Sequence, residues 1–118
     1  MKGSDPSLRT VEGLSWPIVL MAELVGERAD AWRKALEEAQ MIVLAEGSLL
    51  RAAVVVQQER PMVVLVTSNI PAERTAAVRE SARDVGAALL VVPMDAPPEE
   101  VKMLVERRIA AVKLKRGK

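Results

Sequence analysis

Met62-Val63-Val64-Leu65-Val66, closed by Thr67-Ser68-Asn69-Ile70-Pro71, is an unbroken apolar run, rich in β-branched residues, that ends in a turn signal. A half-buried strand alternates apolar and polar residues, whereas a short continuous apolar run reads as a strand covered on both faces. Three other runs share this character: Pro17-Ile18-Val19-Leu20-Met21, Met41-Ile42-Val43-Leu44-Ala45 and Ala88-Leu89-Leu90-Val91-Val92. A helix-like stretch follows each. Strands and helices in that rhythm are the pattern of a parallel sheet wrapped by helices.

Periodicity and punctuation predict the helices. Over residues 28–39, Ala31, Trp32, Ala35, Leu36 and Ala39 fall on one stripe, which makes Trp32 an anchor against the sheet. Gly47-Ser48 supplies a turn and an N-cap for a helix over residues 49–58, although Val54-Val55-Val56 has strand propensity. A third helix starts near Pro71, with Ser68 or Asn69 capping nearby amides, and stops at Gly86. Asp95 is expected to cap the last helix, with Pro97 and Pro98 in its first turn and Glu99 and Glu100 complementing its dipole. Val101, Leu104, Val105, Ile109 and Val112 form the buried face of that helix. Their unbroken spacing favours helix over a fifth strand at residues 110–114. Right-handed crossovers then predict a three-layer αβα domain around a small doubly wound parallel sheet of four or five strands, flavodoxin-like in topology.

With 118 residues, half of them apolar, the chain is expected to form a single domain over residues 16–115. Residues 1–15 read as a flexible lead-in, and residues 116–118 as a basic tail. The chain has no cysteine, which rules out disulfides and thiolate metal sites and suits a reducing cytoplasm. No apolar run approaches the roughly 18 to 20 residues that cross a membrane. Charge is unevenly spread: residues 1–59 carry 6 basic and 9 acidic side chains, and residues 60–118 carry 11 basic and 7 acidic. Much of the excess lies in Arg107, Arg108, Lys113, Lys115, Arg116 and Lys118, where cations complement a helix C-terminus. Only Trp16 and Trp32 could stack on bases, and neither lies in the basic segment, so nucleic acid is not an expected partner.

Ligands of such sheets bind outside the carboxyl ends of the strands, where strand order reverses. Those ends carry Ala22-Glu23, Glu46-Gly47, Thr67-Ser68-Asn69 and Pro93-Met94-Asp95, without histidine, cysteine, tyrosine or lysine. Glu23, Thr67, Ser68, Asn69 and Asp95 are the candidates for holding a small anion such as a nucleotide, aided by helix N-terminal amides. Caps and tight turns call for the same residue types. No dinucleotide fingerprint, Walker loop, nucleophile elbow or metal-ligand spacing is present. No catalytic residue, metal or cofactor is therefore expected.

Residues 17–95 resemble the receiver domains of response regulators. Ile18 to Glu23 looks like the first receiver strand and its acidic turn, and Ala35 to Ala39 followed by Met41 to Gly47 looks like the first helix, second strand and acidic-glycine turn. More specific is Glu59-Arg60-Pro61, then Met62 to Val66, then Thr67 to Pro71. In receivers a proline precedes the third strand, the phosphorylated aspartate closes it, and another proline follows four residues later. Thr67 stands at the phosphoacceptor position, Ala22 at one of the two metal-binding acids and Pro93 at the hydroxyl expected after the fourth strand. Lys113 or Lys115 falls near the family's lysine. A lone Glu23 makes a poor magnesium site. The resemblance thus implies a pseudo-receiver, a regulatory or scaffold domain independent of phosphorylation that acts by contact with a protein partner or a second copy. It points to the last helix, where Met103, Arg107 and Arg108 are the candidate contact residues.

The chain is also similar to regulatory domains of the DRTGG type, in Val63 to Asn69 and in the Val92-Pro93-Met94-Asp95 ending. That family's glycine-aspartate-arginine signature is missing, with Gly47-Ser48-Leu49 at the closest place, and no extra N-terminal strand is evident. This similarity implies a sensor of small ligands.

Overall fold

The β-branched runs form strands and the periodic stretches between them form helices in a computed structural model that describes residues 8–11, 14–23 and 26–116. The elements are β1 (Leu8–Val11), β2 (Leu14–Ala22), α1 (Glu27–Glu38), β3 (Ile42–Glu46), α2 (Leu49–Glu59), β4 (Val63–Thr67), a 3-10 turn (Ala72–Thr75) leading into α3 (Ala76–Val85), β5 (Ala88–Val92) and α4 (Pro98–Arg116). β2 pairs in parallel with β3 on one side and β4 on the other, and β4 pairs in parallel with β5. The parallel order is therefore β3-β2-β4-β5, the first four positions of the flavodoxin-like order. The last helix runs through residues 110–114, so no fifth parallel strand follows β5 among the described residues.

Both sheet faces are covered, as the unbroken apolar strands require. On one face Val19, Met21, Val63, Leu65, Leu90 and Val92 pack against Trp32 and Leu36 of α1 and Val101, Val105, Ile109 and Val112 of α4. On the other, Leu20, Ala22, Val64 and Val66 pack against Leu49, Ala52 and Val56 of α2 and Val78, Ala82 and Val85 of α3. Trp32 is fully buried, and its indole Nε1 donates to the Ala96 carbonyl at 2.9 Å, tying α1 to the turn before α4. At the opposite end of β2, Trp16 buries its indole N–H without a partner among the described residues. α2 is helical despite its valines, because Val56 packs inward and Ser48 caps it by accepting from the Arg51 amide at 3.4 Å. Gly86 closes α3 with φ 75, a left-handed cap that glycine adopts without steric cost.

Three expectations are corrected. First, pairing starts before residue 16: β1 lies antiparallel to the first part of β2, with Leu8 opposite Pro17 and Val11 opposite Leu14. A four-residue strand within a polar segment gives too little periodicity to read. Second, Asp95 does not cap α4. The Ala96 amide donates to the Pro93 carbonyl at 3.1 Å, making Met94 and Asp95 the centre of a turn. The Glu100 and Val101 amides instead return to the Pro97 carbonyl, with Pro98 at the first helical position, where a missing N–H costs nothing. Third, neither Ser68 nor Asn69 caps the helix after β4. The Ile70 amide donates to the Thr67 carbonyl at 3.2 Å, so these two residues form the turn, and Pro71 precedes the 3-10 turn without any side-chain cap.

Candidate functional site

The carboxyl ends of β2, β3 and β4 bring Glu23, Glu46 and Thr67 to one end of the sheet. Glu23 follows β2 in a left-handed conformation (φ 55), and its amide donates to the Glu46 carbonyl at 2.7 Å. This bond extends the β2–β3 pairing by one step. Glu46 is engaged locally: its Oε2 accepts from the Ser48 amide at 3.3 Å, and Ser48 in turn caps α2. Thr67 ends β4 as one of the few buried polar residues, only 2% exposed. Its neighbour Ser68 continues the ladder by donating its amide to the Val92 carbonyl at 2.9 Å.

A cleft of about 450 Å³ lies between the start of α2 and the start of α3, lined by Glu23, Gly47, Ser48, Leu49, Leu50 and Arg74 among others. Arg74 spans it, with Nη2 donating to Glu23 Oε2 at 2.6 Å. The one carboxylate among the described residues that line this cleft is thus already held by a guanidinium from the same chain. Arg74 lies in the 3-10 turn that leads into α3, 51 positions from Glu23, so only the crossover brings the two together.

The structure separates the other sequence candidates. Glu23 lines the cleft, whereas Thr67, Ser68, Asn69 and Asp95 do not. Ser68, Asn69 and Asp95 lie exposed on turns, and Thr67 is buried beneath them. No group of three His, Cys, Asp or Glu side chains that could hold a metal ion occurs among the described residues. The contact candidates on α4 also separate. Met103 (50% exposed) and Arg107, one turn apart, flank a shallow groove of about 580 Å³ with Pro97, Glu99, Glu100 and Leu104. Arg108 lies around the helix and faces α3 instead. No helix among the described residues is long and apolar enough to cross a membrane.

Among solved structures, the chain is similar to the crystal structure of the signal receiver domain of a protein described as a Luxo repressor from Vibrio parahaemolyticus, with a TM-score of 0.74 and 11% identity over 86% of this chain and 95% of that one. It is also similar to a de novo designed Rossmann-fold protein, with a TM-score of 0.53 and 19% identity over 76% of this chain and 93% of that one. No family model matches the chain. No curated protein sequence matches it either. At these identities the likeness establishes a receiver-like α/β fold.

Proposed function

We propose that this is a non-enzymatic, receiver-like regulatory or scaffold domain that acts through contact with a protein partner and not through aspartyl phosphorylation. The observation that carries the proposal is the Arg74–Glu23 pair across the cleft at the strand ends, together with Thr67 as the residue that closes β4. Receiver phosphorylation needs a carboxylate nucleophile and a metal-binding acid pair. Here a threonine hydroxyl, Ala22 and a glutamate neutralised from within occupy those places. A site built this way lacks the acceptor carboxylate and one metal-binding acid, and its remaining glutamate is paired within the chain.

The test is a titration of the 15N-labelled domain with magnesium and beryllofluoride, a phosphoryl mimic, followed by a panel of nucleotides. The amides of Glu23, Thr67, Ser68, Asn69 and Asp95 are expected to stay unmoved by every addition. Saturable shifts at those amides would replace this reading with that of an anion sensor.

A further inference from the structure

We infer that the outer edge of β5, between α3 and α4, is a docking groove for an extended acidic segment of a partner protein, which adds to the sheet as its next strand. This inference deepens the contact-based reading above and rests on it. The backbone is the first element. The Ala88 amide donates to the Met62 carbonyl and the Ser68 amide to the Val92 carbonyl, both at 2.9 Å. In a parallel ladder this phase turns Ala88, Leu90 and Val92 toward β4, so the N–H and C=O groups of Leu89 and Val91 point outward. Val91 is 47% exposed on that edge. Open edges with unpaired amides are templates for strand addition.

The second element is charge. A groove of about 400 Å³ runs beside the start of β5, with Arg79 and Arg83 on the α3 side and Arg108 and Lys115 on the α4 side. No carboxylate of the described residues lines it. Arg79 donates to the Thr75 hydroxyl at 3.2 Å, and Arg83, Arg108 and Lys115 form no ion pair among the described residues. Cations flank the edge from both sheet faces, so an incoming strand meets them whichever way its side chains alternate.

The occupant follows from these two elements. A second copy pairing β5 to β5 would present the apolar run Ala88–Val92, which offers the four cations no carboxylate. A nucleic acid would satisfy the cations but not the outward backbone groups. A strand continuing from α4 is opposed by handedness. The step from β4 out to β5 passes through α3 on the α2 face, so a right-handed step to a further outer strand keeps its helix on that face. α4 packs on the opposite face, with α1. An acidic extended peptide from another protein fits all three observations.

The probe is an acetylated, amidated octapeptide of alternating Glu and Val, titrated into the labelled domain alongside the same peptide N-methylated at every second residue. Saturable shifts at Leu89 and Val91 with slowed exchange of their amides are expected, weakening as salt rises. The N-methylated peptide should fail to bind, since it keeps the charge and loses the donors. Arg83→Glu with Arg108→Glu should weaken binding by about tenfold or more, as reversing rim charges opposes an acidic partner. Val91→Pro removes only an outward N–H, which an edge strand tolerates, and should abolish binding in a folded domain. Equal binding of the N-methylated peptide, stronger shifts with single-stranded DNA, concentration-dependent shifts without peptide, or no binding would each overturn the assignment. If the peptide fails while the cleft stays silent to beryllofluoride, the edge assignment alone falls. A response of the cleft would instead remove the contact-based reading itself.

Discussion

Trp32→Ala is the substitution that most directly tests the core. The ring is fully buried between α1 and the β5–α4 turn, surrounded by apolar side chains of the sheet face that α1 and α4 cover. Truncating a buried Trp costs roughly 3 to 5 kcal/mol through lost transfer energy and the cavity left behind. Its indole N–H also satisfies the Ala96 carbonyl, and stranding a buried acceptor costs about 1 to 3 kcal/mol more where no water replaces the donor. The expected loss is therefore roughly 4 to 8 kcal/mol, comparable to the whole stability of a marginal domain. Trp32→Phe separates the two parts, since it retains most of the ring area and removes the donor; about 1 to 3 kcal/mol should be lost. Urea unfolding followed by far-UV circular dichroism measures both, with Trp16 fluorescence as a second probe that survives the substitution. A loss below about 1 kcal/mol for Trp32→Ala would refute the packing described here and place the ring on an exposed surface.

Other substitutions test single features. Trp16→Phe removes a buried donor that has no partner among the described residues, so the thermal midpoint should hold or rise, unlike that of Trp32→Phe. Gly86→Ala forces a side chain into a left-handed backbone and should cost roughly 1 to 2 kcal/mol, measured by urea unfolding. Ser48→Ala removes the α2 cap and should cost about 1 kcal/mol in the same assay, with no change in Arg74–Glu23 pairing. Arg74→Ala breaks a partly exposed ion pair and should change stability by less than about 1 kcal/mol, whereas the Glu23 amide resonance should move.

The parallel sheet was legible because two-sided burial leaves no polar positions within a strand: β4, buried throughout, reads as Val63-Val64-Leu65-Val66 and Thr67. The strand starts are blurred at Met41 and Met62, which are buried just before β3 and β4, Met62 already bonding Ile18 and Ala88 through its backbone. Glycine and proline punctuation located Gly86 and Pro98 for direct steric reasons. Ser68, Asn69 and Asp95 were misread as caps because turns and caps select the same side chains. Arg74 could not be paired with Glu23 from sequence, since the contact spans 51 positions and depends on the crossover that brings the 3-10 turn before α3 to the end of β2. The cationic groove was hidden for a similar reason. Its charges come from two helices on opposite faces, and they become neighbours only because the sheet stops at β5.

The most direct test of a contact-acting domain with an internally neutralised site is the amide spectrum in magnesium and beryllofluoride, recorded for the parent chain and for Arg74→Ala. The account predicts that both spectra remain unchanged at Thr67, Ser68, Asn69 and Asp95 on adding the mimic. A saturable response at those positions in the parent chain would contradict it, because the strand ends would then bind a phosphoryl group as a working receiver does.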